Sequence, residues 1–231
     1  MSMARTHTTP RLALFDLDHT LLDGDTDVLW CDFLIEQGLL DRDTFSARNA
    51  EVERGYRDGS ITPAEFTAFF VGTLAGRTPE QWRPLLDRFI ARVVEPRLPA
   101  AAHALVAHHR EAGDLLLLTT ATNRFLTEPT AALLGIEHLI ATECEVGSDG
   151  RFTGRTAGTL NMREGKVQRL RVWLKDSGLE PQGLDSVAYS DSMNDLPLLR
   201  FARRAVVVNA DPRLAALAEA EGWPAIDVRL D

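Results

Sequence analysis

An apolar run near the start of the chain ends in two carboxylates that are spaced one residue apart. Residues 11–15 (RLALF) have the length and composition of a strand buried on both faces of a parallel sheet, and Asp16 and Asp18 follow them. Ligands of open α/β sheets bind just beyond the carboxyl ends of the strands. Side chains two positions apart project to the same side of an extended chain, so both carboxylates can face one reacting group. A capped exit from the strand is the alternative, because Asp is common in turns.

Two later strand patterns also end in polar side chains. Residues 114–120 end in two threonines, and residues 186–190 are followed by Asp191, Asn194 and Asp195. The carboxyl ends of parallel strands meet at one edge of a sheet, and carboxylate oxygens are the ligands that suit Mg²⁺. The pattern therefore predicts an α/β protein with a parallel sheet and a Mg²⁺ site at that edge. The two threonine hydroxyls can also serve simply as caps of the following helix.

The chain from about residue 28 to residue 107 shows a helical pattern that no strand signal interrupts. Two segments begin with a threonine, a proline and, three residues after the threonine, a Glu or Gln, which is the arrangement of a capping box. The helices predicted in this part are residues 42–58, 62–74 and 79–94. The apolar stripe of Phe66, Phe69, Phe70 and Leu74 is interpreted as the core of a helical bundle rather than as a ligand site.

A helix is predicted at residues 100–112, and the α/β pattern resumes after residue 113. The further predicted elements are a helix at 125–134, a hairpin within 140–155 that turns at an Asp-Gly step, a helix at 167–177, a strand at 205–209, a helix at 212–221 and a short edge strand at 224–228. Lys166 stands near a helix start, where the helix dipole disfavours a cation. That mismatch indicates either a specific task or a solvated surface lysine.

Composition limits the partners of this chain. Its 231 residues are 45% hydrophobic and 26% charged, which is an ordinary soluble globular composition. A net charge of −9 argues against nucleic acid and anionic membranes, since both attract basic patches. Neither a signal peptide nor a membrane span is predicted. Cys31 and Cys144 show no metal-site spacing and no disulfide framework, so a reducing cytoplasm is expected.

The order of these motifs resembles that of the haloacid dehalogenase superfamily of phosphohydrolases, subfamily IB, the phosphoserine-phosphatase-like branch. The motifs are the DLDHT segment at residues 16–20, Thr120 at a strand end, Lys166, and the SDSMND segment at residues 190–195. The resemblance implies a Rossmann-like core formed by residues 1–24 and 100–231, and a helical insert at residues 25–99 that covers the site as a cap. It further implies a Mg²⁺-dependent phosphatase of small phosphomonoesters.

The same resemblance assigns roles to single residues. Asp16 would attack phosphorus and form an aspartyl-phosphate, and Asp18 would protonate the leaving alkoxide and later deprotonate the hydrolytic water. The residues implied in metal binding are Asp16, Asp18 (through its backbone carbonyl), Asp191 and Asp195. The residues implied in binding the phosphoryl group or the substrate are Thr120, Lys166 and Asn194, with Arg163 as a second candidate.

Two departures from the pattern leave alternatives open. Residues 119–122 read TTAT where phosphoserine phosphatases have a serine and two glycines, so Thr119 can replace Thr120. The lysine of those enzymes precedes the glycine, whereas Lys166 follows Gly165, and Arg163 therefore competes with Lys166 as the cation that faces the phosphate.

The substrate is open between phosphoserine, histidinol phosphate and other small metabolites. Its selection is assigned to residues of the insert such as Asp25, Arg48, Arg54 and Arg57. A phosphoryl-accepting signalling protein and a non-catalytic phosphate-binding protein are the rival functions. The sequence does not determine the oligomeric state.

Overall fold

The computed structural model describes residues 11–58 and 60–229, without the side chains of residue 53 and residues 56–58. Seven strands form one sheet in the order β4-β3-β2-β1-β5-β6-β7, in which β4 alone runs antiparallel to its neighbour. The strands are β1 (Leu12–Phe15), β2 (Leu115–Asn123), β3 (His138–Val146), β4 (Phe152–Ala157), β5 (Ser186–Ser190), β6 (Arg204–Val208) and β7 (Ala225–Ile226). The predicted α/β class with a mostly parallel sheet is confirmed.

Strand β1 lies at the centre of the sheet because it is apolar on both faces. It pairs in parallel with β2 on one side and with β5 on the other. Its residues Leu12 and Leu14 pack into the core layer on one face of the sheet, while Ala13 and Phe15 pack into the layer on the opposite face. All four side chains are fully buried. The chain can therefore become polar only where β1 ends, at Asp16.

Nine α-helices accompany the sheet within the described residues. They are α1 (Thr26–Glu36), α2 (Arg42–Asp58), α3 (Pro63–Val71), α4 (Pro79–Phe89), α5 (Ala100–Glu111), α6 (Arg124–Leu134), α7 (Glu164–Asp176), α8 (Leu196–Phe201) and α9 (Pro212–Glu221). Helices α1 to α4 lie between β1 and β2 in the chain, within the predicted helical insert. Both predicted capping boxes are present, Thr62 with Glu65 and Thr78 with Gln81.

The helical insert contributes aromatic side chains to the core layer on one face of the sheet. Trp30 packs edge-on against Trp82 and Phe89, with ring centroids 5.6 and 5.1 Å apart respectively. The two segments that lead into and out of the insert meet where Asp23 N donates to the carbonyl of Arg97 at 2.9 Å. The boundaries 25–99 of the insert stay a prediction.

The β3–β4 hairpin holds the insert against the sheet. Gly76 N donates to the carbonyl of Phe152 at 2.9 Å, and Phe152 N donates to the carbonyl of Arg77 at 3.0 Å. The hairpin approaches closely at Gly154, whose φ is +80° and whose added Cβ would lie 3.1 Å from the Cβ of Ala75. Glycine meets both requirements because it carries no side chain.

Strand β2 extends three residues beyond the predicted end at residue 120. Its pairing with β3 is irregular between Thr120 and Asn123, and the Asn123 side chain caps α6 by accepting from Leu126 N at 3.2 Å. The threonine-rich end of β2 therefore continues through an irregularity, which bends a strand, rather than ending in a turn at residue 120.

None of the described helices is long and apolar enough to cross a membrane. Both cysteines are free.

Candidate active site

Asp16 and Lys166 form a buried ion pair at the end of β1. Asp16 N donates to the carbonyl of Tyr189 at 3.0 Å, which continues the pairing of β1 with β5. The Asp16 side chain is held from both sides, because Lys166 Nζ donates to Oδ1 at 2.6 Å and Thr20 Oγ1 lies 3.3 Å from Oδ2. Only 7% of Asp16 is exposed. Its carboxylate is thus fixed in orientation before any substrate binds.

Lys166 has a second carboxylate partner. Its Nζ donates to Asp195 Oδ2 at 2.7 Å, and Ser190 Oγ donates to the same oxygen at 2.8 Å. Burial alone would lower the pKa of Lys166, but the carboxylates of Asp16 and Asp195 outweigh it and raise the pKa above its usual value. The lysine is charged at neutral pH, and its two partners offset the unfavourable helix dipole at the start of α7.

Gly165 allows α7 to begin close to the sheet. A Cβ at this position would lie 2.0 Å from the backbone oxygen of Leu160, which no side chain tolerates. The next residue is Lys166, so the tight approach at Gly165 delivers the lysine amine to Asp16. This is the physical reason for a glycine directly before the lysine.

Asp191 brings a third strand-end carboxylate to Asp16. Its backbone N–H donates to Thr20 Oγ1 at 3.1 Å, and that hydroxyl lies 3.4 Å from Asp191 Oδ1. Burial raises the pKa of Asp191 to about 7. Burial also raises the pKa of Asp16 well above its usual value, and the charges of Asp195, Asp191 and Asp18 add to that effect although Lys166 opposes it. The site therefore carries more negative charge than Lys166 balances.

This donor set fits a hard divalent cation in its chemistry. Mg²⁺ prefers carboxylate and carbonyl oxygens, and a cation beside Asp16 and Asp191 would favour the ionised form of both. Within the part of the chain that the structure describes, no three His, Cys, Asp or Glu side chains form a ready metal cluster. Lys166 and Thr20 contact the two Asp16 oxygens.

Asp18 points its carboxylate toward hydroxyl groups rather than toward Lys166. Thr26 donates both its backbone N–H, at 2.7 Å, and its hydroxyl to Oδ1 of Asp18. Thr122 Oγ1 donates to Oδ2 at 2.8 Å, and Thr120 Oγ1 lies 3.3 Å from the same oxygen. The two carboxylates that follow β1 therefore have different surroundings, one cationic and one of neutral donors.

A cavity of about 220 Å³ opens above these side chains. Its floor is the polar edge of the sheet, and its roof includes Phe66 and Thr67 of α3. The lining residues are Asp16, Asp18, His19, Asp25, Asp27, Phe66, Thr67, Ala121, Thr122, Met162, Lys166, Asp191, Ser192, Asn194 and Asp195. The structure thus brings together six of the eight predicted site residues in one cavity wall, and it places Thr120 directly beside Asp18.

Arg163, the remaining predicted site residue, lies outside this lining. Its Nε donates to Asn194 Oδ1 at 3.2 Å, and its backbone adopts a φ of 52°. Thr119 is also turned away from the cavity, since its hydroxyl accepts from Asn161 Nδ2 at 3.0 Å. Of the alternatives that the sequence left open, Lys166 and Thr120 are the ones beside the two carboxylates.

The wall of the cavity formed by the insert is acidic. Asp25 caps α1 by accepting from Val28 N at 3.0 Å, and burial, with the charge of Asp18, raises its pKa to about 6. Burial likewise raises the pKa of Asp27 well above its usual value, and the charge of Asp25 adds to it. Asn123 Nδ2 approaches Asp27 Oδ1 at 3.4 Å. This wall offers acceptors to a substrate.

The arginines expected to select the substrate are not part of that wall. Arg48 is exposed and pairs with Glu51 at 2.7 Å, and Arg54 is also exposed. The side chain of Arg57 lies outside those that the structure describes. Helix α2 therefore turns Arg48 and Arg54 to solvent. Of the three insert residues predicted to select the substrate whose side chains the structure describes, Asp25 is the one that lines the cavity.

Phe66 was predicted to belong to the helical core, and this was wrong. Phe70 is buried in the insert, whereas Phe66, one turn earlier on α3, reaches the cavity with its ring centroid 5.3 Å from that of Phe70. An apolar stripe on a helix does not reveal where the core ends and a ligand cavity begins.

Sequence reasoning also missed several polar residues. The missed residues are Thr26, Asp27, Thr67, Thr122 and Asn161. Asn161 is fully buried, and its amide donates to Thr119 Oγ1, to the carbonyl of Thr120 and to that of Ile140. A buried Asn in a loop between β4 and α7 has no local sequence signal, because its partners come from two other strands.

The geometry agrees with the sequence family. The profile of the haloacid dehalogenase-like hydrolases matches residues 13–200 of this chain. The chain belongs to this family, and it is a phosphoric monoester hydrolase. Phosphatases of the family generally use a divalent metal ion.

Two relatives of this chain have names that state an activity. The chain is 38% identical over 219 residues to a histidinol-phosphatase of Neisseria meningitidis, which covers 94% of this chain and 99% of the relative. It is 29% identical over 226 residues to a phosphoserine phosphatase of Mycobacterium tuberculosis, covering 94% and 71% of the two chains.

Solved structures show the same architecture. A protein of unknown function from Bordetella pertussis is 43% identical, with a TM-score of 0.91, and the match covers 96% of this chain and all of that one, 100%. A substrate-bound phosphoserine phosphatase has a TM-score of 0.68 at 19% identity, covering 96% and 94% of the two chains. At 19% identity the structural similarity supports a shared fold alone.

Proposed function

We propose that this protein is a Mg²⁺-dependent phosphatase of small phosphomonoesters that works through an aspartyl-phosphate on Asp16. The observation that carries the proposal is the buried Asp16 carboxylate held by Lys166 at 2.6 Å in a cavity at the strand ends. Phosphoryl transfer depends mainly on positioning and on neutralising oxygens that gain charge. A fixed carboxylate beside a charged lysine meets both needs.

The neighbouring residues take the remaining roles. Asp18 donates a proton to the leaving oxygen as its bond to phosphorus breaks, and it accepts a proton from the water that later attacks the aspartyl-phosphate. Thr120 and Lys166 bind the oxygens of the transferring phosphoryl group. Asn194, which lines the cavity, contributes to binding the substrate.

Asp16, Asp191 and the backbone carbonyl of Asp18 would hold the Mg²⁺ ion, with Asp195 in support. Asp195 Oδ2 is engaged by Lys166 and Ser190, which ties the lysine to the metal site. When bound, the cation offsets the repulsion between the attacking carboxylate and the anionic phosphate. The excess negative charge at Asp16 and Asp191 supports this assignment.

The acidic wall indicates which leaving groups fit. Phosphoserine carries a carboxylate, which would meet Asp25 and Asp27 without an arginine of the insert among the described lining residues. An amino alcohol phosphate such as histidinol phosphate keeps the ammonium group that phosphoserine also has but lacks the carboxylate, so it avoids this repulsion. Phe66 supplies an apolar surface in the same cavity. The relative named as a histidinol-phosphatase supports the same choice.

The test is a kinetic comparison of phosphate release from histidinol phosphate, phosphoserine and a simple aryl phosphate, each with Mg²⁺ and after chelation. We expect the highest kcat/KM for histidinol phosphate, and loss of turnover with every ester on chelation or in Asp16→Asn, where an amide replaces the nucleophile. Full activity of Asp16→Asn would exclude the covalent route. Binding of phosphate with a single turnover would instead favour a signalling or binding protein.

A further inference from the structure

The carboxylate of Asp18 connects two separate parts of the chain. Thr26, the first residue of α1, is fully buried and donates two hydrogen bonds to Oδ1 of Asp18. Thr122, at the bent end of β2, donates to Oδ2 from its hydroxyl at 2.8 Å. The insert thus holds one oxygen of the carboxylate, and the sheet holds the other.

The two donors differ in what they permit. The backbone N–H of Thr26 can only donate, so Oδ1 of Asp18 must act as an acceptor whenever that contact exists. The hydroxyl of Thr122 can donate or accept, because its proton rotates about the C–O bond. Oδ2 of Asp18, which meets hydroxyl groups alone, can therefore carry a proton while it keeps its contact with Thr122. A proton on Oδ1 would instead turn the Thr26 hydroxyl from a donor into an acceptor, beside a backbone N–H that still donates to the same oxygen, so the two donors of Thr26 favour Oδ1 as the unprotonated oxygen.

We infer that Thr26 is a positioning residue for proton transfer, which selects Oδ2 of Asp18 as the oxygen that gives and takes the proton. This inference rests on the proposed function. As the bond between phosphorus and the leaving oxygen breaks and a bond to Asp16 forms, the proton on Oδ2 passes to the leaving oxygen. When water attacks and the bond between phosphorus and Asp16 breaks, one water proton returns to Oδ2.

The position of Thr26 depends on how the insert begins. Asp25 caps α1 directly before Thr26, and Gly24, with a φ of +143°, turns the chain into the helix. The contact between Asp23 and Arg97 joins the two connections of the insert just outside this turn. The insert therefore positions the acid as well as covering the cavity.

The experiment compares two esters that differ in their need for a proton. A phosphate ester of an alkyl alcohol has a poor leaving group that must be protonated, whereas 4-nitrophenyl phosphate has a leaving group that departs as an anion. The parameter is kcat/KM, because it reports the steps up to phosphorylation of Asp16 and excludes the later attack of water. Thr26→Val keeps the shape and the backbone donor but removes the hydroxyl.

We expect Thr26→Val to lose roughly tenfold in kcat/KM for the alkyl ester and less than about threefold for 4-nitrophenyl phosphate, since the proton transfer as a whole contributes ~10² to 10⁴-fold. Thr26→Ser restores the hydroxyl and should recover the alkyl activity. Thr26→Ala gives the same readout if the valine variant does not fold. Thr130→Val is the matched control, because Thr130 is fully buried on α6 and its hydroxyl has no partner.

Equal losses on the two esters would show a purely structural role for Thr26 and overturn the inference, as would no loss on either. In both cases wild-type turnover and an inactive Asp16→Asn variant would leave the proposed function standing. If the wild-type protein hydrolyses neither ester, both the proposed function and this inference are wrong.

Discussion

Lys166 balances two carboxylates that the fold buries beside it. The hydrogen bonds to Asp16 and Asp195 are 2.6 and 2.7 Å long, and all three side chains are less than a tenth exposed. Removing one partner of such a cluster is costly because the remaining charges stay buried without a counter-charge. At this scale the contact that stabilises the fold is also the one on which the proposed catalysis depends.

Lys166→Met should destabilise the protein by about 3–5 kcal/mol at neutral pH and abolish turnover. Burial already raises the pKa of Asp16, and loss of the lysine raises it further, so the folded variant binds protons more tightly than the unfolded chain. The loss in free energy of unfolding relative to the wild-type protein should therefore become smaller as pH falls. The measurement is urea unfolding at pH 8 and pH 5 with chelator present.

The matched control for this variant is Lys175→Met, an exposed lysine in the last turn of the same helix. It should change the free energy of unfolding by no more than about 0.5 kcal/mol. A deficit of Lys166→Met that is equally large at both pH values would contradict the role of Lys166 as a counter-charge.

Asp25 should make substrate affinity depend on pH. Burial, with the charge of Asp18, raises its pKa to about 6, so below that pH the side chain is neutral and attracts a cationic leaving group less. We expect the KM of an amino alcohol phosphate to rise as pH falls through about 6. Because the pKa of Asp25 is higher in the folded protein than in the unfolded chain, its contribution to stability is lost as pH rises from the unfolded pKa to about 6.

The pH profile needs two controls, since phosphate esters also titrate near this pH. Asp25→Asn keeps a helix-capping oxygen but removes the charge, so its KM should show only the titration of the ester. An aryl phosphate whose leaving group carries no ammonium should likewise show no additional rise with the wild-type protein. Identical KM profiles of wild type and Asp25→Asn on the amino ester would exclude Asp25 from substrate binding.

Helix α7 shows how an element positions a single functional group. Its first turn packs against the loop before it at Gly165, where a Cβ would overlap the backbone oxygen of Leu160 at 2.0 Å. The helix start cannot move away without withdrawing Lys166 from Asp16. The element and the site are therefore coupled through one small residue.

Gly165→Ala should lower the free energy of unfolding by about 1–3 kcal/mol through overpacking. Because the substitution displaces Lys166, it should also lower kcat by a larger factor than it changes KM. Thermal unfolding and steady-state kinetics measure the two effects. Gly72→Ala is the control, since a Cβ there meets nothing within 4 Å on a helical backbone. It should be neutral or stabilising by up to about 1 kcal/mol. Normal kcat in Gly165→Ala would separate the helix start from catalysis.

At the scale of the whole molecule, the insert covers the strand ends and limits what can enter. Phe66 and Thr67 of α3 face the sheet edge across a cavity of about 220 Å³. The hairpin contacts at Gly76 and Phe152 hold the insert in this position. A covered site excludes water and bulky substrates together.

We therefore expect free phosphorylated metabolites to be hydrolysed far faster than a phosphorylated side chain on a folded protein. The measurement is kcat/KM for a small ester, a phosphopeptide and a folded phosphoprotein under identical conditions, with the peptide as the control for side-chain chemistry. A folded phosphoprotein turned over as efficiently as the small ester would contradict the covering role of the insert.

Much of the fold could be predicted from local patterns. The buried run before Asp16 implied a central parallel strand, and both capping boxes were readable from a threonine and the Glu or Gln three residues later. These signals are local because hydrophobic period and capping hydrogen bonds involve neighbours in the chain. The order of the polar strand ends was sufficient to predict Asp16, Asp18 and Asp191 at one edge.

The tertiary structure alone decided how those residues meet their partners. It placed Lys166 rather than Arg163 beside Asp16, turned Asp18 toward Thr26, and moved Phe66 from the predicted core into the cavity wall. Each outcome depends on the angle at which one element packs on another, and residues far apart in the chain set that angle. The sequence by itself determined which chemical groups reach the sheet edge, whereas packing over long range determined which of them touch.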